Sequence, residues 1–300
     1  MNEFERFYRG KKVLVTGGAG FIGSHIAEIL VQLGSQVTVM DNFSAGSLNN
    51  LRSVVTNINL MYADITSPYS CQKATTDKDI VFHLAAFVSV PFSIKNPTTC
   101  FAVNVQGTKN LLDASTQNHV ASFVLSSSAA IYGNKETPCS ENDQPNPLSP
   151  YAQTKLEAEH LCKKYAQEQN LNTVCLRYFN VYGERQNPYG DYASVIPKFK
   201  NCLITKKPIT IFGDGTQTRD FIHVSKVVEA NLKTAMLPNS HGEIFNIASG
   251  KSMNLLDLIK KLEQEVAQPL TDITYKPSRH GDIMKSQANC SKYEKITTSC

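Results

Sequence analysis

Three side chains occur in an order suited to taking a proton from an alcohol: Ser128, Tyr151 and Lys155. Tyr151 and Lys155 are four positions apart, so a helix through them places both on one face, a turn apart. A free phenol titrates near pH ~10, and serving as a base at neutral pH requires positive charge beside it. Lys155 offers an ammonium at that spacing, and a nicotinamide cation would add a second charge. Ser128 closes a strand-like run and can share the proton of a substrate hydroxyl. The three form a general acid/base apparatus for oxidising an alcohol. Tyr-x-x-x-Lys is commonplace on helix surfaces, and what lifts this pair above that background is what precedes it.

Upstream, a strand-like run enters Thr16-Gly17-Gly18-Ala19-Gly20-Phe21-Ile22-Gly23, a G-x-x-G-x-x-G turn opening an amphipathic helix. A pyrophosphate seated on backbone N–H groups at a helix N-terminus leaves no room for a Cβ at Gly17 or Gly20. A bare Gly23 lets the helix approach the strand. The next strand ends in Met40-Asp41-Asn42, which puts a carboxylate about 18 residues past Gly23, near the spacing a dinucleotide fold expects. Asp41 suits both hydroxyls of an adenosine ribose and repels a 2′-phosphate. No Arg follows it, so NAD is favoured over NADP. A phosphate loop of the G-x-x-x-x-G-K-[ST] type is absent.

Groups so spaced are positioned by a doubly wound parallel sheet of the α/β Rossmann kind, in which ligands sit beyond the carboxyl ends of the strands. Apolar, β-branched runs predict strands at Lys12 to Thr16, Gln36 to Asp41, Ile58 to Ala63, Asp79 to Leu84, Ser122 to Ser127 and Thr173 to Tyr178. Helical patterns lie at Ile22 to Leu33, near Pro97 to Thr116, and at Tyr151 to Gln169. After Asn180 loops dominate, with a helix expected at Ala193 to Leu203 and a strand at Ile209 to Phe212. A helix near Val224 to Met236 and a strand at Ile244 to Ile247 read as a return to the first sheet. The expected division is a dinucleotide-binding domain of residues 1–180 plus 221–248, and a smaller, discontinuous α/β domain of residues 181–220 plus 249–300. No internal repeat or low-complexity tract interrupts it.

Composition fits an ordinary globular protein: 300 residues, 41% hydrophobic and 19% charged, with a net charge of +4 spread along the chain. Neither nucleic acid nor a membrane surface is an expected partner. The longest apolar stretch, Ile80 to Val90, contains His83 and is far short of a membrane span. The N-terminus, MNEFERFYRGKK, has no signal-peptide core, and the expected location is cytoplasmic. Eight cysteines, at 71, 100, 139, 162, 175, 202, 290 and 300, show no C-x-x-C pair and no zinc-like spacing with His. They read as reduced thiols packed in the core, with no metal site.

With these pieces in order, the chain resembles the extended short-chain dehydrogenases over nearly its whole length. The resemblance rests on the glycine turn, Asp41-Asn42-Phe43-Ser44 with Gly46, Ala63-Asp64-Ile65, His83-Leu84-Ala85-Ala86 and Asn104-Val105-Gln106-Gly107-Thr108. It continues through Ser126 to Gly133, Pro150-Tyr151, Lys155 and Arg177-Tyr178-Phe179-Asn180-Val181-Tyr182-Gly183. It implies a cofactor site of Gly17, Gly20, Phe21, Ile22, Gly23, Asp41, Asn42, Ser44, Gly46, Asp64, Ile65, Leu84, Ala85, Ala86, Asn104, Ser126, Tyr151, Lys155 and Tyr178. Asp64 and Ile65 would flank the adenine, Ala85 and Ala86 the phosphate and ribose, and Tyr178 the nicotinamide.

Within that family, dehydratases and decarboxylases carry an acid just after the catalytic hydroxyl residue, whereas this chain reads Ser128-Ala129-Ala130-Ile131-Tyr132-Gly133. Without that acid the pattern is similar to NAD-dependent UDP-hexose 4-epimerases: oxidation at C4, rotation of the 4-keto sugar, and hydride return. A dehydratase or net oxidoreductase using a different acid, and a nucleotide sensor without chemistry, are the alternatives; Tyr151 and Lys155 weigh against the sensor. The resemblance further implies substrate contacts from Ser128, Tyr151, Asn180, Val195, Ile196, Phe212, Arg219, Arg279 and Asp282, with the two arginines meeting a diphosphate. Ser286 falls at a position that gates sugar size in such enzymes, and a small residue there implies room for N-acetyl sugars. The runs Gly183 to Gly190 and Tyr192 to Lys198 are similar to UDP-N-acetylglucosamine 4-epimerases of surface-polysaccharide pathways. The implied substrates are UDP-GlcNAc and UDP-GalNAc, with UDP-Glc and UDP-Gal as a further pair. A homodimer through residues 97–116 and 151–169 is likewise implied. Two departures are Ala288-Asn289-Cys290-Ser291, where relatives read Ala-Asp-x-Ser, and a last residue, Cys300, falling before the expected C-terminal helix.

Overall fold

A computed structural model describes residues 2–135, 138–188, 194–238, 240–278 and 283–298. After a short helix α1 (Glu3–Tyr8), strands β1 (Lys12–Thr16) and β2 (Gln36–Asp41) flank α2 (Phe21–Gln32). Then come β3 (Ile58–Tyr62), α3 (Pro68–Thr75), β4 (Ile80–His83), α4 (Val90–Lys95), α5 (Pro97–Phe101), α6 (Thr108–Gln117), β5 (Ser122–Ser128), α7 (Pro150–Gln169) and β6 (Thr173–Tyr178). The second region contributes β7 (Asn180–Tyr182), α8 (Val195–Ile204), β8 (Ile209–Phe212) and β9 (Thr218–His223). The chain returns through α9 (Val224–Ala235) and β10 (Glu243–Ile247), then adds β11 (Ser252–Asn254), α10 (Leu255–Val266), β12 (Ile273–Lys276) and α11 (Ser291–Thr298).

Seven strands form one parallel sheet in the order β10-β6-β5-β4-β1-β2-β3. Alternation along β1 shows why the sheet is covered on both faces. Val13 and Val15 face a core with Ile26 and Leu30 of α2 and Val227 of α9, while Leu14 faces Leu111 and Leu112 of α6 and Ala158 of α7. The chain order reverses between β1 and β4, and at such a switch point the strand ends diverge and leave a crevice. As expected, β10 pairs with β6 and closes the sheet.

The second region is built from two small sheets, β11-β9-β7 and β12-β8, around a core of Ile196, Phe199 and Leu203 of α8 with Leu258, Ile259 and Leu262 of α10. Two expectations need correction. The helix expected from Pro97 to Thr116 is interrupted by a π-turn over Ala102–Gly107. Within the stretch 249–300 the last helix leaves the second region: Tyr293 and Ile296 of α11 pack on the first core, and Lys292 pairs with Glu243 of β10. A helix therefore does stand near the end of the chain, and Asn289, in place of the usual Asp, accepts from Ser291 N at 3.0 Å at its start. Among the described residues, no helix is long and apolar enough to cross a membrane.

Candidate active site and cofactor cleft

A cavity of about 760 Å³ runs across the carboxyl ends of the parallel strands and on to α8, β8 and β9. At its first end the glycine turn fits a dinucleotide, with roles that differ glycine by glycine. Gly17 has φ +66°, and a Cβ there would stand 2.6 Å from Ala85 N. Its bareness thus serves the loop after β4 as much as any phosphate. A Cβ on Gly23 would lie 2.3 Å from Gly17 O, so the close helix approach is real. Gly20 faces open space apart from Gly17 O at 3.1 Å, as a site for phosphate oxygens requires.

Asp41 ties the end of β2 to this turn: Oδ2 accepts from Ala19 N at 2.9 Å and Oδ1 from Phe43 N at 2.8 Å. Asn42 donates to Asp64 Oδ2 at 2.7 Å. Burial alone would raise the Asp64 carboxyl, but hydrogen bonds from Thr66 and Asn42 outweigh it and hold it below the ordinary carboxylate value. Gly17, Gly20, Phe21, Ile22, Gly23, Asp41, Asn42, Ser44, Gly46, Asp64, Ile65, Leu84, Ala85, Ala86, Ser126 and Tyr178 all line the cavity, as do Ser128, Tyr151 and Lys155. The residues present therefore fit NAD.

Asn104 is the exception. It is 2% exposed and stands behind the wall, where Oδ1 accepts from Phe87 N at 2.7 Å and Nδ2 donates to Phe87 O and to Thr154 Oγ1. It positions the loop that follows β4 and does not line the cavity. A second buried chain of hydrogen bonds runs beside it. Thr108 Oγ1 donates to Asn104 O at 2.6 Å, so it accepts from His83 Nε2 at 2.9 Å. His83 Nδ1 is then left to accept from Thr16 Oγ1 at 2.8 Å. Burial, and after it the Lys155 charge, depress this imidazole to about 3, so it is a neutral link between β1 and the helix after the π-turn.

The three side chains expected to act as acid and base meet in the cleft. Ser128 ends β5, and Tyr151 opens α7 behind a Ser149 cap and Pro150, with its own N–H donated to Ser93 Oγ at 3.1 Å. Lys155 Nζ donates to Ser126 O at 2.8 Å and lies 6.0 Å from the centre of the Tyr151 ring. Burial raises Tyr151 above the usual phenol value, and its hydrogen bond with Ser128 acts in the opposite direction. Burial also lowers Lys155 to about 8, against the opposing pull of Cys100 and Glu159. An ammonium at that value is still protonated at neutral pH and gives up its proton more readily than a free lysine.

Across the cavity, Asn180, Val195, Ile196, Phe212 and Arg219 line the wall as expected. Arg219 is steadied by donating Nη1 to Thr218 O at 2.9 Å and to Ile283 O at 2.5 Å. Arg279 and Asp282 lie outside the described residues. Ser286 is half-buried but is not part of the lining, so the structure does not bring it to the cleft. Gln186 and Lys198, from the two runs singled out in the sequence, line it as well, and so do Gln217 and Phe221, for which the sequence offers no signal. Lys198 carried a signal, standing three places after Val195 and so on the same face of the helix.

A bare glycine turn, a carboxylate at the end of β2 and a Ser-Tyr-Lys set around one cleft define an NAD-dependent enzyme of the short-chain dehydrogenase type. The sequence pattern of the NAD dependent epimerase/dehydratase family matches residues 13–248, and the chain belongs to that family. A putative UDP-glucose 4-epimerase of Methanocaldococcus jannaschii is 37% identical over 287 residues, 95% of this chain and 92% of that protein. The UDP-N-acetyl-alpha-D-glucosaminuronate decarboxylase of Bacillus cytotoxicus is 36% identical over 275 residues, 90% of this chain and 82% of its own. Among solved structures, the UDP-N-acetylglucosamine 4-epimerase of Methanobrevibacter ruminantium M1, in complex with UDP-N-acetylmuramic acid, superposes with a TM-score of 0.92. It shares 37% identity, covering 96% of this chain and 92% of that one.

Proposed function

We propose that this protein is a UDP-sugar 4-epimerase acting on UDP-GlcNAc and UDP-GalNAc, with UDP-Glc and UDP-Gal as a second pair. The observation that carries this reading is that Ser128, Tyr151 and Lys155 open on the cofactor cleft while Ala129 and Ala130 follow the serine. Dehydration or decarboxylation calls for further acid/base help at that point, whereas epimerisation needs one residue that takes and returns a proton. NAD, when bound, supplies the hydride acceptor at C4. Tyr151 takes the proton of the 4-hydroxyl, Ser128 shares it, and Lys155 keeps the phenolate from being reprotonated at once. Arg219 faces the diphosphate, and the likeness to the UDP-N-acetylglucosamine 4-epimerase supports the acetylated sugars. Because Ser286 is away from the wall, the acetyl group's room comes from other lining residues in this reading.

Incubating purified protein separately with UDP-GlcNAc and UDP-Glc and resolving the products tests it. Interconversion of each 4-epimer pair is expected; a 4-keto-6-deoxy or decarboxylated product would replace this reading. The same proposal includes a cytoplasmic homodimer in surface-polysaccharide synthesis. Phe101, 52% exposed on α5 beside α7, supports the pairing face. Sedimentation at a single-protomer mass would remove the dimer.

A further inference from the structure

Beneath the catalytic set a carboxylate and a guanidinium are buried together, with no part in the chemistry described so far. Glu159 lies one helical turn past Lys155 on α7, and Arg177 on β6 stands opposite Ser127 of β5. Each is 2% exposed. Glu159 Oε1 accepts from Ser127 Oγ at 2.6 Å and from Arg177 Nε at 2.9 Å, and Oε2 accepts from Arg177 Nη2 at 2.7 Å. The guanidinium stacks on Tyr132, 4.7 Å from the ring centre, and the Tyr132 hydroxyl donates to Asn246 Oδ1 at 2.6 Å. Asn246 is the residue opposite Arg177 on β10. One carboxylate thus ties α7 to two strands directly and, through Arg177 and Tyr132, to a third. Taking such a pair out of water costs several kcal/mol, and apolar side chains of equal size often hold a helix on a sheet as well or better. Stability alone does not account for the arrangement.

We infer that Glu159 is a positioning residue for the acid/base set: clamped by Arg177 and Ser127, it fixes the turn of α7 that carries Lys155 and holds that ammonium charged beside Tyr151. The inference rests on the role given to Tyr151 under the proposed function. The groups facing Lys155 are Tyr151, Glu159 and Cys162 of α7, Cys100 of α5, Cys175 of β6 and His83 of β4. Glu159 is the carboxylate among them, and its charge opposes the loss of the Lys155 proton that burial promotes. Tyr151 itself responds to burial, Ser128 and Cys100, so Glu159 acts on it through Lys155.

Two readouts test the clamp: the pH dependence of kcat, and a potentiometric difference titration of Lys155 against a Lys155→Met reference in the same background. Glu159→Gln is expected to move both the alkaline limb of kcat and the Lys155 midpoint down by about one pH unit. Glu159→Asp, which restores the charge, brings both back toward the wild type. Ser127→Ala keeps the charge pair, so it lowers kcat a few-fold and leaves the midpoints in place. If Glu159→Gln unfolds because Arg177 is left unpaired, the double variant Glu159→Gln with Arg177→Met moves the midpoints in the same direction by a smaller amount. Midpoints unchanged in the neutral variant, or moved equally by Ser127→Ala, overturn the inference. The titration needs no turnover. A protein inactive on UDP-sugars that still shows the shift sinks the epimerase reading and leaves the clamp standing.

Discussion

Along the cofactor side of the cleft, Asp41, Asp64, His83 and Asn104 are each held by two or more hydrogen bonds from neighbouring backbone or side chains. Across it, Lys198 and Arg219 reach the wall from α8 and β9, and the elements behind them are held by the apolar core of α8 and α10. The first side is organised by polar bonds that exist before any ligand arrives, and the second by an apolar core to which a few carbonyl bonds, such as those that steady Arg219, are added. Pre-organised dipoles suit a resident cofactor, which needs a fixed frame through every turnover. Cations on a small packed unit suit a substrate that must bind and leave.

The contrast is sharpest at Tyr151, where the two sides meet. Tyr151→Phe should lower kcat by roughly a thousandfold and leave bound NAD in place, as expected for a positioned acid/base group. Copurification of NAD with the variant checks the second half, and loss of NAD would mean that the hydroxyl belongs to cofactor binding instead. Lys155→Met should raise stability while abolishing activity. Burial holds that ammonium at about 8 from 10.5, a cost on the order of 3 kcal/mol. The cost is fully present below about pH 8 and is relieved as pH rises towards the ordinary lysine value. Thermal melting at pH ~7 reads the gain, and a lower melting temperature would contradict it.

His83 tests the hydrogen-bonded frame. Its folded value of about 3 lies below the usual 6.5, so its contribution is intact above pH 6.5 and is lost as pH falls towards 3. By pH ~5 that loss is on the order of 2 kcal/mol. His83→Gln should flatten this acid limb of the melting curve, and an unchanged limb would assign it to other groups. The smallest effect is expected on the substrate side. Arg219→Ala should raise KM for the UDP-sugar about tenfold with NAD retention unchanged. If NAD retention fell equally, the two sides would not be separable.

The sequence was most readable where one side chain type answers one backbone need. Gly23 beside Gly17 O, Asp41 at a strand end and Tyr151 with Lys155 one turn apart are local patterns, and each lies where its spacing implied. Asn104 was misplaced because sequence spacing shows that it belongs to the site but not which way it faces, and a π-turn buries it behind the wall. The pairing of Glu159 with Arg177 was not readable because it crosses from helix to strand, which no periodicity encodes. The substrate side was harder for the same reason. Lys198, Gln186 and Gln217 converge on the cleft only through the packing of two small sheets.

The most direct test uses a UDP-sugar carrying deuterium at C4. With Tyr151 passing a proton and the cofactor held in its frame, the label should leave C4, return to the opposite face and be found in the 4-epimer. The bound NAD should be unchanged after many turnovers. Label lost to solvent, or recovered in NADH released in step with product, would contradict a single closed cleft that oxidises and reduces the same carbon.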